Sequence, residues 1–209
     1  MKIYTFVLLG FLYFYGDYAE IPQRPLCPLN VGNSWTYEQT IYYEETSISQ
    51  IGEVEIKSSN TIDGITGFSI EEYSEGDPVT LVNNDIDGNC VAYFFDNSLL
   101  IHNTILYKKN VKKDDHWDYK TVVYLDKDSS IYDIEQVTMT CVAVDTLITT
   151  PKGDFKCIGF SFSYGGVDEN GNHNNTIISY ISENVGEVKT LLFYKEIYSE
   201  IVLIDYHIN

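Results

Sequence analysis

Alternation with a period of two recurs along most of this chain, and beyond the N-terminal end helical periodicity is nearly absent. A period of two sends successive side chains to opposite faces of an extended strand. Trp35, Tyr37, Ile41 and Tyr43 fall on one side, with Thr36, Glu38 and Thr40 on the other. Gly52, Val54 and Ile56 alternate with Glu53, Glu55 and Lys57. Thr138, Thr140, Val142, Val144 and Ile148 share one face, and Met139, Cys141 and Ala143 the other. Ile158, Phe160, Phe162 and Tyr164 oppose Cys157, Gly159 and Ser161, and the chain ends in Val202, Ile204, Tyr206 and Ile208. With the β-formers of 121–125, the pattern predicts an all-β fold of about eleven strands, nearly all antiparallel.

Turn chemistry supports that reading. Asp87-Gly88 and Asn170-Gly171 supply residues that tolerate positive φ, as tight hairpin turns require. Pro151-Lys152-Gly153-Asp154 folds one long strand back on the next, and Lys127-Asp128-Ser129-Ser130 reads as a polar loop. No Pro- or Ser-rich linker divides the chain, so 20–209 is expected to form a single β domain.

Both tryptophans enter a strand in the same way. Asn30-Val31 leads through a short turn to Trp35-Thr36-Tyr37, and Asn110-Val111 leads to Trp117-Asp118-Tyr119. Trp-x-Tyr puts two large aromatics on one face roughly 6.5–7 Å apart, which suits a curved sheet that must be plugged at two places.

The net charge of -18 narrows the partners. Between Pro25 and Tyr107, Lys57 is the one cation against thirteen carboxylates. Such a surface repels phosphate backbones and anionic headgroups, so neither nucleic acid nor an anionic membrane surface is expected to bind. Acidity here reads chiefly as solubility, and 44% hydrophobic with 14% aromatic residues argues against disorder.

Residues 1–19 carry Lys2, an apolar run from Ile3 to about Gly16, and the small Ala19. The run falls short of the roughly 20 residues of a bilayer span. The pattern is that of a secretory signal, with a retained anchor as its rival, and the protein is expected to be secreted or periplasmic. The remainder is long enough to bury roughly 70% of its unfolded surface. Cys27, Cys90, Cys141 and Cys157 form an even set in an oxidising compartment and are candidate disulfide partners, with three pairings open.

Chemistry-bearing patterns are sparse. Asp85-Ile86-Asp87-Gly88-Asn89 and Asp168-Glu169-Asn170-Gly171-Asn172 offer alternating oxygens but lack the glycine and glutamate of a calcium loop, and read as hairpin turns. His102, His116, His173 and His207 form no zinc-hydrolase frame. Gly159-Phe160-Ser161-Phe162-Ser163 lacks the second glycine of a nucleophile elbow, and Glu44-Glu45 and Glu71-Glu72 are undistinguished among so many acids. Lys108-Lys109 and Lys112-Lys113 form a cationic patch that reads as a solvated hairpin loop. No catalytic residue, metal ligand or cofactor site is expected.

Three stretches resemble a family of exported bacterial β-proteins without assigned activity. Pro28-Leu29 with Gly32-Asn33-Ser34-Trp35-Thr36-Tyr37 resembles their Pro-Leu-x-x-Gly-x-x-Trp-x-Tyr opening. Thr150 through Cys157 resembles their Pro-Ala-Gly-Thr-Phe-x-Cys hairpin, with Lys152 in place of alanine and Asp154 in place of threonine. Tyr180 with Asn184-Val185-Gly186-Glu187-Val188-Lys189 resembles their later Gly-Val-Gly-x-Val-Lys segment. Some members look like the half-open β-barrels of periplasmic lipoprotein carriers. The resemblance therefore implies a curved, half-open barrel-like sheet, a sandwich being the alternative. It brings structural residues: Gly32, Trp35, Tyr37, Pro151, Gly153, Phe155, Val185 and Gly186, beside the Trp117 and Tyr119 of the second Trp-x-Tyr. With eighteen tyrosines suited to surfaces wet at one end and apolar at the other, the expectation is a non-enzymatic module for an apolar small molecule or an envelope protein. The alternatives are a structural or interaction protein of the cell envelope and a hydrolase with dispersed catalytic residues.

Overall fold

The computed structural model describes residues 25–70, 79–96, 98–124, 132–167, 173–194 and 197–209. The expected signal, the Lys127–Ser130 loop, Glu71-Glu72 and the turn at Asp168–Asn172 lie outside them. The described residues form an all-β structure of thirteen antiparallel strands. These are β1 (Ser34–Tyr43), β2 (Thr46–Glu55), β3 (Ser58–Ile62), β4 (Ile65–Ser69), β5 (Val79–Asn84), β6 (Cys90–Asp96) and β7 (Leu99–Tyr107). They continue as β8 (His116–Tyr124), β9 (Tyr132–Thr150), β10 (Gly153–Val167), β11 (His173–Ser182), β12 (Gly186–Tyr194) and β13 (Ile197–His207). The larger sheet runs β2-β1-β13-β12-β11-β10-β9-β8, the smaller runs β3-β4-β5-β6-β7, and neither closes on itself.

The run of alternation through Ile56 and Lys57 is cut where the chain passes from one sheet to the other. Ile56 donates its N–H to Asn33 O at 2.9 Å, and Lys57 donates to Ser69 O at 3.1 Å. At the far side, the sheets meet again without a ladder. Trp117 donates its indole N–H to Ile105 O at 3.0 Å, and Lys120 donates its N–H to Thr104 Oγ1 at 3.2 Å.

One apolar cluster joins the inner faces of both sheets, including Trp35, Phe68, Val82, Phe94, Met139, Phe160, Ile181 and Leu203. Burying side chains of this size contributes about 1.5–3 kcal/mol each. The smaller sheet is apolar on both faces. In β6, Cys90, Ala92 and Phe94 enter the main cluster, while Tyr93 and Phe95 turn to a second one with Ile62, Val79 and Leu81.

Register shifts interrupt the simple alternation in several strand pairs, and three of these places bear on the core. In β13 the register passes from Thr36↔Asp205 to Tyr37↔Leu203, leaving Ile204 as an extra residue. Ile201 and Leu203 are therefore buried before it, and Tyr206 and Ile208 pack on the core after it. The set Val202, Ile204, Tyr206 and Ile208 straddles that switch and does not share one face. In β9, where the register against β10 is irregular and Asp145 has φ 54, Ile148 packs on the same core as Met139, although the sequence puts them on opposite faces. The third bulge, in β12, places the acid described below. An extra residue leaves the ladder locally unpaired and inverts the parity of every position beyond it.

Close approach between β4 and β5 depends on Gly67. A Cβ there would lie 2.9 Å from Val82 O and 3.0 Å from Leu81 Cβ. Gly67→Ala is expected to destabilise the protein by about 1–3 kcal/mol, as overpacking does. Urea unfolding checks this, and an unchanged midpoint would mean that the two strands part at no cost.

Candidate functional site

The interior receives a segment, 25–29, that belongs to no strand and bends at Leu26 and Cys27. Leu26, Cys27 and Leu29 are 0–2% exposed, as deeply placed as any residue of the core. Two hydrogen bonds hold the segment from opposite sides. Asn184 donates its N–H to Pro25 O at 3.2 Å, and Asn84 donates its amide to Cys27 O at 3.2 Å. Asn184 follows β11 and Asn84 ends β5, so the segment is tied to both sheets.

Beside it lies a carboxyl group inside the protein. Glu187 is buried, and so is its neighbour Val188. Adjacent residues of a regular strand face opposite ways, but the register passes from Tyr180↔Lys189 to Ile181↔Glu187, so Val188 is an extra residue and both side chains point inward. Thr190 Oγ1 donates to Glu187 Oε1, and the Tyr107 hydroxyl donates to Oε2 at 3.4 Å. The Tyr37 hydroxyl donates to the Glu187 carbonyl at 2.9 Å. Ser179 and Thr190 share a hydrogen bond of 3.1 Å.

Burial is the main cause that pushes the Glu187 carboxyl well above the ordinary carboxylate range, opposed by the hydrogen bond from Tyr107. Burial also raises the Tyr37 and Tyr107 hydroxyls, and the Glu187 charge adds to it. Burial thus favours the neutral form of all three groups, which make a polar cluster in an apolar interior.

The structural residues expected from the sequence surround this patch or lie at the far hairpin. Trp35 is the second residue of β1, and its indole donates to Val185 O at 2.6 Å. Gly186, at φ 89, opens β12 under Pro28 and Trp35; a side chain there would be strained by the backbone itself. Gly32, at φ 90, donates to Ile56 O at 2.9 Å. Trp117 is likewise second in β8, with Lys108 Nζ 5.0 Å from its ring centroid, and Tyr119 stacks on Phe162 at 5.3 Å. Pro151 and Gly153 make the β9–β10 turn, where Thr150 Oγ1 accepts from the Lys152 N–H at 3.1 Å, and Phe155 meets Tyr206 edge-on at 6.1 Å. These residues therefore do not form one site.

Cys27, Cys90, Cys141 and Cys157 are all buried free thiols. Asp85 closes its turn by accepting the N–H groups of Asp87 and Asn89 on Oδ1, both at 2.9 Å. Of the cationic patch, Lys109 pairs with Glu183 at 3.4 Å. Glu187, Tyr107, Thr190 and Ser179 carried no signal in the sequence. Glu187 sits where alternation would send a glutamate to solvent, and its partners come from three other places along the chain.

No family model and no curated protein matches this sequence. Three solved structures are similar in backbone course. A candidate lipoprotein of Parabacteroides distasonis is 13% identical, with 88% of this chain and 99% of that one covered and a TM-score of 0.40. A candidate exported protein of Bacteroides fragilis with a YmcC-like fold is 12% identical, with 86% and 97% covered and a TM-score of 0.38. A β-barrel-like protein of Domain of Unknown Function DUF1849 from Brucella abortus is 14% identical, with 86% and 98% covered and a TM-score of 0.42.

The buried acid sets a pH dependence. Because the fold raises its pKa, the stability tied to its protonated form is complete below the unfolded value, about 4.3, and is lost as pH rises through the folded value. Glu187→Gln, which cannot ionise, is expected to melt ever higher relative to wild type as pH increases above about 4.3. Thermal unfolding of both proteins across that range measures the difference, and a difference independent of pH would place the carboxyl in water.

Proposed function

We propose that this protein is an exported, non-enzymatic binding module that takes an apolar ligand, or an apolar segment of a partner, between its two open sheets. The observation that carries this reading is the segment around Leu26 and Leu29. The interior already accommodates an apolar stretch outside both sheets, held at two backbone carbonyls by the Asn184 N–H and the Asn84 side-chain amide rather than by a ladder. A ligand of similar width entering beside or in place of it would meet apolar walls and one neutral polar patch, Glu187 with Tyr107 and Thr190. Few polar groups among apolar walls is the ordinary make-up of a small-molecule site. Export is supported by Lys2, the apolar run that follows it and Ala19. The charge of -18 directs the choice away from nucleic acid and anionic lipid surfaces.

A second reading, an interaction module of the cell envelope, is favoured by β2. It is an outer strand of the larger sheet, and nearly all of its side chains are exposed, with Ile48 at 71% and Ile51 at 70%. Long exposed edges with apolar residues are where other strands add.

Titration with the neutral fluorophore N-phenyl-1-naphthylamine tests the first reading. The expected result is a saturable rise in fluorescence, with tighter binding to Leu26→Ala/Leu29→Ala, which empties part of the interior. Absence of saturable binding to both proteins, each retaining its β-sheet circular dichroism, would refute it. Envelope proteins retained by the wild type but not by Ile48→Lys/Ile51→Lys would favour the edge of β2 instead.

A further inference from the structure

Cys27 and Cys90 stand apart from the other two cysteines because Asn84 links them: it faces Cys90 across the ladder and donates its amide to the Cys27 carbonyl. Cys27 is among the neighbouring groups that raise the Cys90 thiol, after burial itself. Cys90 opens β6, and on its other side it pairs with Tyr107, whose hydroxyl donates to the buried Glu187. Both residues are within 1% of full burial in the same apolar cluster.

The remaining thiols are placed otherwise. Cys141 Sγ donates to Ala143 O, and Cys157 Sγ donates to Phe155 O, each at 3.5 Å. In the β9–β10 ladder Cys157 lies opposite Thr146 and Cys141 opposite Phe160. At about 3.3 Å per residue this separates their Cα atoms by more than about 10 Å, beyond the roughly 7 Å that a disulfide can span.

We propose that Cys27 and Cys90 form the one intramolecular disulfide of this protein, fastening the segment 25–29 to the smaller sheet, while Cys141 and Cys157 remain thiols. The oxidant is a small-molecule disulfide. One cysteine thiolate attacks it, forming a mixed disulfide and releasing one thiol. The second cysteine thiolate then attacks the protein sulfur of the mixed disulfide, releasing the other thiol. Two electrons pass from the cysteine pair to the small disulfide, and the two cysteine protons end on the two released thiols. Burial raises the Cys90 thiol well above its ordinary pKa, so the exchange belongs to the stage before the segment seats. The bond closes a loop of roughly sixty residues, and such cross-links act largely by restricting the unfolded chain.

The inference stands independently of the ligand and is tested on the protein alone. The full chain is refolded from denaturant with oxidised and reduced glutathione, quenched with iodoacetamide in denaturant, and mapped by non-reducing proteolysis and mass spectrometry. A Cys27–Cys90 peptide lacking two hydrogens is expected, with Cys141 and Cys157 alkylated. The oxidised protein is expected to melt on the order of 10 °C above the reduced protein. Cys141→Ser/Cys157→Ser is expected to form the same cross-linked peptide, which keeps the test decisive if Cys27→Ser/Cys90→Ser fails to fold. A peptide joining Cys27 or Cys90 to Cys141 or Cys157, or alkylation of all four thiols after oxidative refolding, would overturn the assignment.

Discussion

Two curved sheets that do not close leave an apolar space between them, and water must be kept from it. Leu26, Cys27 and Leu29 do much of this, entering the interior at 0–2% exposure without joining either ladder. A backbone placed there still needs partners for its polar groups. Asn84 supplies one from the smaller sheet and Asn184 one from the turn before β12. The same turn offers Val185 O to Trp35, and Gly186 lets the chain pass beneath Pro28. The start of β1, the entry to β12 and the end of β5 are thus held by one short stretch of chain.

The acid beside that stretch follows from the same geometry. Glu187 opens into the interior because β12 carries an extra residue at Val188, and burial favours its neutral form against the pull of the Tyr107 hydroxyl. A neutral carboxyl among Tyr37, Tyr107, Thr190 and Ser179 gives the interior its polar point without a cation.

Alternation made the strand content legible, because residues such as Trp35 and Tyr37, or Met139 and Cys141, are two apart on unbroken stretches of strand. About eleven strands were expected and thirteen are described. The short β3 and β4, five residues each, carry too few positions for a period to be read. Parity failed wherever an extra residue intervened. Val202 and Tyr206 share a phase in the sequence but lie on either side of the bulge at Ile204, and Met139 and Ile148 differ in phase yet meet one core. Nothing local marks such a residue, since its cause is the curvature demanded by strands paired far away in sequence.

By itself the sequence determined what is local or additive: strand period, hairpin turns at Asp87-Gly88 and Pro151-Lys152-Gly153, and a strongly acidic character. Those properties depend on the chemistry of neighbouring residues or on simple sums over the chain. Tertiary structure alone decided which glutamate is buried and which segment packs between the sheets. Glu187 and Tyr107 are 80 residues apart, and their meeting depends on register, bulges and sheet curvature acting together. Such contacts are properties of the closed shape, and no short stretch of chain contains them.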